Sequence, residues 1–326
     1  MMPEDKHPVV VGVDLGGTNL RVAVINGQGE MRFRQAFPTP KGQGSQELVE
    51  RLAGAITAVG QEAQDQGSQV LAIGMGVPGR VLPQEGRVIF SPNLPELNDC
   101  QLGAAARRLL RWPLFMDNDA NIFALGEQWL GAGQGRANIL GITLGTGVGG
   151  GLVLNASIWP GEAGSTAEIG HIIIDPQGEV CNCGNRGCLE TLASAPWTVA
   201  WVKSRLAAGE PSSLRAAWQK DPESLGGRQL QQAADTGDRL AQAAFARVGQ
   251  ALGQAIVDVV HLLGLSLVVI GGKFSLAWDH FIGPLEDELD RRLTLFPRAQ
   301  LKVVPAILGD NAGLLGAARL AWDNVT

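Results

Sequence analysis

The feature that most constrains the fold is a motif that occurs twice in the chain. Residues 9–25 read VVVGVDLGGTNLRVAVI, which is an apolar run, a Gly-Gly-Thr turn and a second apolar run. Residues 138–155, NILGITLGTGVGGGLVLN, repeat this order. Each stretch predicts a strand, a tight turn and an antiparallel strand. The repetition predicts an internally duplicated α/β protein with one phosphate-binding turn in each half.

The rest of the chain alternates between strand and helix patterns. Strands are predicted at 71–79, 113–119 and 263–275, and helices at 46–66, 102–110, 120–130, most of 197–250 and the end of 308–322. At 326 residues the chain is long enough for two domains with sizeable cores. Many of its 44 glycines stand in clusters beside apolar runs, which favours ligand binding through the backbone over disorder.

Charge and hydropathy argue against two classes of partner. The net charge of −6 at pH 7 argues against a non-specific hold on nucleic acid. No uninterrupted apolar stretch approaches the roughly 18 residues of a membrane span, and the N-terminal residues MMPEDKHP carry no cleavage-like region. We therefore expect a cytoplasmic protein with neither nucleic acid nor a membrane among its partners.

The two glycine turns predict contacts to phosphate. Gly145, Gly147 and Gly150 match the spacing of a dinucleotide-binding loop, but such a loop must open a helix, and here GLVLN follows with strand character. The backbone N–H groups of a tight turn can cradle an anion without a helix, and Thr18 and Thr146 add hydroxyl donors. The alternative for each turn is an ordinary β-turn.

Asp14 stands directly before the first glycine turn, where a carboxylate would repel phosphate. Mg²⁺ removes this objection, because it binds one or two carboxylates together with phosphate oxygens and water. The pattern therefore predicts Mg²⁺ near Asp14. The alternative is that Asp14 only caps the turn.

A polar cluster, Asp117-Asn118-Asp119, closes a predicted strand ahead of a helix. Active-site residues of α/β folds commonly follow strands in this way. Phosphoryl transfer to an alcohol needs a carboxylate that accepts the hydroxyl proton. Asp119 suits that role, and Asn118 suits a hydrogen bond to a sugar hydroxyl. The alternative is that Asp117 or Asp119 is simply the N-cap of the helix.

A metal-ligand spacing lies in the second half of the chain. The candidate ligands are His171, Cys181, Cys183 and Cys188. Three thiolates and one imidazole suit a closed tetrahedral Zn²⁺ site, and cysteines this crowded in a long chain favour metal binding over disulfides. Glu168 and Glu190 flank the ligands, so a bound metal would fix two acidic side chains. The alternative is buried structural cysteines beside an incidental histidine.

Taken together, these segments resemble the ROK family of sugar kinases and repressors, and within it the bacterial glucokinase branch. The matching motifs are DLGGTNLR (14–21), MGVPG (75–79), SPNL (91–94), DNDANIFALGE (117–127), LGTGVGGG (144–151) and EIGH…CNCGNRGCLE (168–190). The resemblance implies the two-domain, actin-like ATPase fold of ribonuclease-H-like halves. Residues 1–117, completed by a helix at about 310–326, would form a small N-terminal α/β domain, and 118–309 a large α/β domain with the zinc motif.

The resemblance also implies an activity, which is ATP-dependent phosphorylation of the 6-hydroxyl of a hexose, with glucose as the first expectation. Asp119 would be the catalytic base. The positions implied for sugar binding are Asn93, Asn118, Asp119, Glu168, His171 and Glu190. Those implied for ATP and its phosphates are Asp14, Gly16, Gly17, Thr18, Asn19, Thr146, Gly147, Gly271 and Gly272. Zinc would be structural and Mg²⁺ would accompany ATP.

Several alternatives stay open at this point. The acceptor could be fructose, mannose, N-acetylglucosamine or N-acetylmannosamine, the donor could be polyphosphate, and a non-catalytic sugar sensor is a further class. Lys273 stands where the family has a third glycine, so the nucleotide contact is expected to differ there. Family repressors carry an N-terminal helix-turn-helix, and we expect none here, because the first phosphate loop already begins at residue 14. Family members are commonly dimers or tetramers, so we expect a homodimer or homotetramer.

Overall fold

The computed structural model describes residues 7–42, 44–162, 164 and 166–325. Most of the N-terminal segment that bears on targeting lies outside these residues. The chain forms two compact units. Unit 1 comprises Met1–Gly141, Gly151–Thr166 and Ala306–Thr326, and unit 2 comprises Ile142–Gly150 and Ala167–Pro305. The chain passes from one unit to the other four times, twice inside the second predicted hairpin.

The described residues form twelve strands and ten α-helices. The strands are β1 His7–Leu15, β2 Asn19–Asn26, β3 Met31–Pro38, β4 Ser68–Val77, β5 Arg80–Leu82, β6 Arg87–Phe90, β7 Leu114–Asn118, β8 Ile139–Leu144, β9 Val148–Leu154, β10 Ser157–Ile158, β11 Leu267–Gly271 and β12 Lys302–Pro305. The helices are α1 Gly44–Asp65, α2 Leu102–Arg107, α3 Asp119–Leu130, α4 Glu190–Ala193, α5 Ala195–Ala207, α6 Arg215–Lys220, α7 Gly227–Asp235, α8 Arg239–Leu263, α9 Trp278–Arg292 and α10 Ala312–Asp323.

The main sheet of unit 1 has the strand order β3-β2-β1-β4-β7. β1 pairs antiparallel with β2 and parallel with β4, and β4 pairs parallel with β7. Val11 and Leu52 of α1 belong to the hydrophobic core on one face of the sheet. Val10 and Leu314 of α10 belong to the core on the other face. Because both faces are covered, β1 is apolar along nearly its whole length.

Helix α10 packs closely against β1, β4 and α3 through glycines. A Cβ on Gly74 would overlap the carbonyl oxygen of Ala317, and one on Gly316 would overlap that of Ile122. A Cβ on Gly12 would lie 2.5 Å from the carbonyl oxygen of Leu314. These contacts are backbone to backbone, so α10 cannot move closer to β1, β4 or α3 without a collision.

Unit 2 contains α8, α9, β11, β12 and the parts of β8 and β9 that lie within Ile142–Gly150. The second sheet has the order β10-β9-β8-β11-β12, and β11 runs parallel to β12. Helix α8 begins at the N-cap Asp238, whose carboxylate accepts from Ala241 N, and ends at Gly264 in the left-handed conformation. All five residues of β11 are buried. Strand β11 is therefore packed along its whole length, up to its carboxyl end at Gly271.

The structure confirms the two predicted hairpins and the long helices, with differences at the ends. The helix predicted at 46–66 is Gly44–Asp65, and the one predicted at 102–110 ends at Arg107. The elements β3, β5, β6, β10, β12 and α9 were not predicted. β3 alternates exposed residues, two of them arginines, with partly buried ones, so it lacks a continuous apolar run. The unit bounds differ from the predicted domain bounds, because α3 packs on α10 in unit 1. No helix among the described residues is both long and apolar enough to span a bilayer.

Candidate active site and candidate metal centre

The first glycine turn joins β1 to β2 at residues 16–18. Gly16 N donates to the carbonyl of Asn19 at 2.9 Å, and the Thr39 hydroxyl donates to the carbonyl of Gly16 at 2.6 Å. A Cβ on Gly17 would lie 3.0 Å from the Cβ of Asn93, so Gly17 and Asn93 are neighbours. The exposed candidates here are Thr18, Asn19 and Asn93. The turn is thus a fixed loop whose outer edge is open to a ligand.

Asp14 lies at the end of β1 with a side chain that is mostly buried. Its Oδ2 is 3.2 Å from Nη1 of Arg21, and a Cβ on Gly313 would lie 2.8 Å from its carboxylate carbon. Burial raises the pKa of Asp14, Arg21 opposes that rise and Asp310 adds to it. Within the described part of the chain its carboxylate accepts from Arg21 and from no N–H of the turn. The turn-cap alternative is therefore not supported.

Asn118, and neither neighbouring aspartate, is the N-cap of α3. Its Oδ1 accepts from Ala120 N at 2.8 Å and Asn121 N at 3.3 Å, while its Nδ2 donates to the carbonyl of Gly79 at 2.7 Å. Asp117 is buried, accepts from Asn118 N and from the amide of Asn121, and has a pKa raised by burial. The suggestion that an aspartate caps this helix was wrong. An amide nitrogen has a second hydrogen, so Asn118 keeps one donor for a ligand.

Asp119 is the first residue of α3 and its side chain is open to solvent. Desolvation by the neighbouring protein raises the pKa of its carboxyl to about 7. The negative charge of Asp14 adds to the rise, while the backbone N–H groups of Ala120 and Asp119 oppose it. A carboxylate with a pKa near 7 exchanges protons readily at neutral pH, which is what a general base requires.

The second glycine turn joins β8 to β9 at residues 145–147. Gly145 N donates to the carbonyl of Gly147 at 3.0 Å, which closes the turn, and Thr146 is exposed at its tip. Val148 N donates to Oε2 of Glu190 at 3.0 Å, and a Cβ on Gly147 would lie 2.5 Å from the same oxygen. The carboxylate of Glu190 therefore holds the turn in place.

The nucleotide candidates are Gly271, the last residue of β11, and Gly272, which follows it beside the end of β8. Gly272 has φ of 91°, and a Cβ there would lie 2.8 Å from the backbone N of Leu144, the last residue of β8. Only glycine meets both requirements at this position. Lys273 follows at the start of a short 3₁₀ helix and is exposed. The sequence-predicted phosphate and nucleotide segments of unit 2 are thus adjacent.

The four predicted metal ligands converge on one point. One ligand atom from each of His171, Cys181, Cys183 and Cys188 lies within 4.8 Å of all the others. Nδ1 of His171 is 3.7 Å from Sγ of Cys181, and the sulfurs of Cys183 and Cys188 are 3.6 Å apart. Zinc–sulfur bonds of about 2.3 Å place two sulfurs of a tetrahedron about 3.8 Å apart. These donors fit a zinc ion, and they are too far apart for disulfides.

Local backbone structure explains why the sulfurs converge. Cys181 N donates to the carbonyl of Asn185 at 2.7 Å, and Gly184 N donates to that of Cys181 at 2.9 Å. Gly184 and Gly187 have φ of 93° and 74°, which other residues rarely adopt. Burial and the neighbouring thiols raise the pKa of Cys188 to about 12. Three thiolates in this space therefore need a cation between them.

The remaining candidates of unit 2 lie around this cluster. His171 closes a 3₁₀ turn in which its N–H donates to the carbonyl of Glu168 at 2.9 Å. Because Nδ1 of His171 faces the cysteines, Nε2 remains for another partner. Oε1 of Glu190 is 4.0 Å from Sγ of Cys181, so Glu190 touches both the metal cluster and the second turn.

Each unit thus brings together its own set of predicted residues. Unit 1 holds Asp14, Gly16, Gly17, Thr18, Asn19, Asn93, Asn118 and Asp119, and unit 2 holds Thr146, Gly147, Glu168, His171, Glu190, Gly271, Gly272 and the three cysteines. Sequence reasoning missed Arg21, which is paired with Asp14 across the hairpin. The register that pairs Leu15 with Leu20 places Arg21 opposite Asp14, and the sequence does not state that register.

Comparison with known proteins shows which sequences resemble this chain over most of its length. The model of the ROK family matches residues 10–324. A glucokinase of Thermotoga maritima is 34% identical over 97% of this chain and 98% of its own length. An N-acetylmannosamine kinase of Escherichia coli O127:H6 is 30% identical over 95% of this chain and 97% of its own. A xylose repressor of Caldicellulosiruptor bescii is 29% identical, and the match covers 94% of this chain and 76% of the repressor.

Solved structures give the same result for the fold. The ROK hexokinase of Thermus thermophilus superposes with a TM-score of 0.82 at 31% identity, covering 97% of this chain and 99% of that one. A ROK glucokinase of Streptomyces griseus, solved with glucose and AMPPNP, gives 0.79 at 31% identity over 97% and 99%. The predicted actin-like α/β fold is confirmed. With a family model that spans nearly the whole chain and relatives that match end to end, this chain belongs to the ROK family.

Proposed function

We propose that the chain is an ATP-dependent sugar kinase that phosphorylates the 6-hydroxyl of a hexose, with glucose as the preferred acceptor. The observation that carries the proposal is Asp119, an accessible carboxylate with a pKa of about 7 at the end of β7. Strand β1 runs parallel to β7 and is separated from it in the sheet by β4, so Asp14 and the first glycine turn lie at the same edge of the sheet as Asp119. The kinase and hexokinase names among the family relatives support the same activity.

In the proposed reaction Asp119 accepts the proton of the sugar hydroxyl as the oxygen attacks the γ-phosphorus of ATP. The bond from that phosphorus to the β–γ bridging oxygen breaks, and ADP leaves. Little covalent chemistry is required of the protein, so alignment and charge neutralisation carry most of the rate. The N-cap bond of Asn118 and the helix start fix the position of Asp119. Asn93 and the second amide hydrogen of Asn118 are available for neighbouring sugar hydroxyls.

The phosphate end of the reaction is assigned to Asp14 and to the glycine turns. Asp14, with Arg21 beside it, would hold Mg²⁺, which offsets phosphate charge when it is bound with ATP. Gly16, Gly17, Thr18 and Asn19 would offer backbone and side-chain donors in unit 1, as would Thr146 and Gly147 in unit 2. Gly271 and Gly272 would allow close approach of the nucleotide, since neither carries a side chain.

The metal cluster is assigned a structural role beside sugar contacts. The ligands His171, Cys181, Cys183 and Cys188 would fill all four positions of a zinc ion and leave none for substrate. Ligation through Nδ1 would fix the ring of His171 so that Nε2 can bind a sugar hydroxyl. Glu168 and Glu190 are assigned contacts to the other hydroxyls, on the basis of the family resemblance.

One experiment tests the activity and the choice of sugar together. The purified protein is supplied with ATP, Mg²⁺ and each of glucose, fructose, mannose, N-acetylglucosamine and N-acetylmannosamine, and ADP release gives kcat/KM for each. Glucose is expected to give the highest value, with phosphorus coupled to C6 in the NMR spectrum of the product. Turnover of none of these sugars would overturn the proposal.

The relatives support two specific alternatives to glucose kinase activity. The N-acetylmannosamine kinase at 30% identity favours that sugar as a second candidate acceptor. The xylose repressor favours a sugar sensor, which would bind sugar without turnover. Calorimetric sugar binding by a protein that never releases ADP would identify the sensor. For the assembly we propose a homodimer or homotetramer, which sedimentation analysis measures directly.

A further inference from the structure

Glu127, near the end of α3, has a fully buried carboxylate that accepts three backbone hydrogen bonds. Its side chain is 0% exposed. Oε2 accepts from Ala132 N at 2.9 Å and from Ile307 N at 3.3 Å, and Oε1 accepts from Leu308 N at 2.9 Å. A carboxylate in this setting costs free energy unless its lone pairs are satisfied, and three N–H donors satisfy them.

These bonds join two segments that are far apart in sequence. Ala132 follows α3, whereas Ile307 and Leu308 belong to the stretch that leads into α10. Glu127 therefore ties the end of α3 to the approach of α10. Removing this acceptor would leave three partly buried backbone hydrogen bonds unmade.

Both helices lie next to a carboxylate that is assigned to the reaction. α3 begins at Asp119, and Gly313 in the first turn of α10 has no room for a side chain because the carboxylate of Asp14 is against it. A Cβ on Gly126 would likewise overlap the carbonyl oxygen of Ala312. A shift of α10 relative to α3 would therefore press on Asp14 and change its relation to Asp119.

Arg21 makes a second contact with the segment that leads into α10. Nη1 of Arg21 donates to the carbonyl of Asp310 at 3.3 Å while it also pairs with Asp14. The stretch from Ile307 to Asp310 is thus held at one end by Glu127 and at the other by Arg21. Of these two residues, Arg21 also contacts the carboxylate of Asp14.

We propose that Glu127 is a positioning residue for phosphoryl transfer, which fixes the approach of α10 so that Asp14 keeps its place relative to Asp119. It contacts neither substrate nor reacting atoms in this account. The assignment rests on the proposed kinase function. An apolar side chain would fill the same space, but only an acceptor with two oxygens can fix three N–H groups at once. We expect a change at Glu127 to lower kcat/KM for MgATP, because Asp14 is assigned to the binding of that substrate.

The test compares Glu127→Gln with Val59→Ala, a cavity variant in α1 on the opposite face of the sheet, where Val59 is also 0% exposed. Both are assayed at a temperature where circular dichroism shows them folded. We expect Glu127→Gln to lower kcat/KM for MgATP about 10- to 100-fold, as a misplacement of about 1 Å does. The glucose Kd by calorimetry should change less than threefold. Val59→Ala should keep the wild-type constants.

A second variant addresses the same contact from the donor side. Leu308 has φ of −79°, which proline tolerates, so Leu308→Pro removes the N–H that donates to Oε1 and leaves Glu127 intact. It should lower kcat/KM for MgATP in the same direction, and it decides the matter if Glu127→Gln does not fold. Wild-type constants in a folded Glu127→Gln, or equal losses in Val59→Ala, would overturn the positioning role. An inactive wild-type protein would overturn the proposed function and this role with it.

Discussion

Nη1 of Arg21 lies 3.2 Å from Oδ2 of Asp14, and the two residues are directly paired across the β1–β2 hairpin. The same guanidinium lies 3.6 Å from the carboxylate of Asp310. Arg21 thus holds together two acidic residues, one of which is assigned to Mg²⁺. Because the side chain of Asp14 is mostly buried, this pair is less screened by solvent than a surface ion pair would be.

Replacing Arg21 should therefore weaken use of MgATP. In Arg21→Met the pKa of Asp14 should rise further, because the arginine is what opposes the effect of burial. We expect kcat/KM for MgATP to fall roughly tenfold, with glucose affinity nearly unchanged. Arg51→Met is the matched control, since Arg51 pairs with Glu47 on the exposed face of α1. An equal loss in both variants would contradict the assignment.

The raised pKa of Asp119 predicts how the rate depends on pH. A general base must be unprotonated, so kcat/KM for glucose should rise with pH and level off above about 7. The charge of Asp14 helps to raise the pKa of Asp119. The pH profile of kcat/KM therefore reports on the two carboxyl groups together. A rate that is flat from pH 5 to 8 in a buffer series would contradict Asp119 as the base.

The raised pKa of Asp119 should also make the free energy of unfolding fall as pH rises, whereas the rate should increase. Asp119 titrates near its ordinary value of 3.8 in the unfolded chain and near 7 in the folded one, so the folded state holds the extra proton between these values. The contribution of Asp119 to stability is therefore present below about pH 4 and lost as pH rises to 7. In Asp119→Asn this loss should vanish, which urea unfolding of both proteins at pH 5 and pH 8 would measure.

The fold and the site were not equally open to prediction. The hairpins, α1 and the metal cluster follow from local patterns, such as apolar runs around glycines and cysteines within a few residues. The capping role of Asn118 could not be separated from its aspartate neighbours, because Asp and Asn cap helices about equally well. Glu127 and its partners Ile307 and Leu308 are about 180 residues apart. A contact between residues so far apart in sequence cannot be predicted from a local sequence pattern.

Removal of the metal should affect sugar binding more than nucleotide binding. Cys183 is exposed, so Cys183→Ala removes one ligand without opening a core cavity. With the ring of His171 no longer fixed, the Kd for glucose should rise at least tenfold, as changes around metal ligands commonly cause. The Kd for AMPPNP should change less than threefold. Chelator-treated protein with full zinc loss and unchanged glucose affinity would contradict the role given to His171.

Lys273 offers a test of the nucleotide side. It is exposed at the start of a 3₁₀ helix beside the second glycine turn, where a positive charge can attract phosphate. We expect Lys273→Gly to raise the KM for ATP several-fold at low ionic strength and less at 0.5 M salt, where screening is stronger. Lys302→Gly, at the exposed start of β12, is the control. Identical salt dependence in wild type and Lys273→Gly would exclude a role for this charge.

The central claim is that Asp119 accepts the proton of the sugar hydroxyl, and the turnover of Asp119→Asn with glucose and MgATP tests it most directly. The amide keeps the shape of the side chain but cannot take the proton. General-base catalysis typically contributes about 10²- to 10⁴-fold, so kcat should fall by a factor in that range in a variant that circular dichroism shows to be folded. A folded Asp119→Asn that turns over glucose at near the wild-type rate would contradict the account.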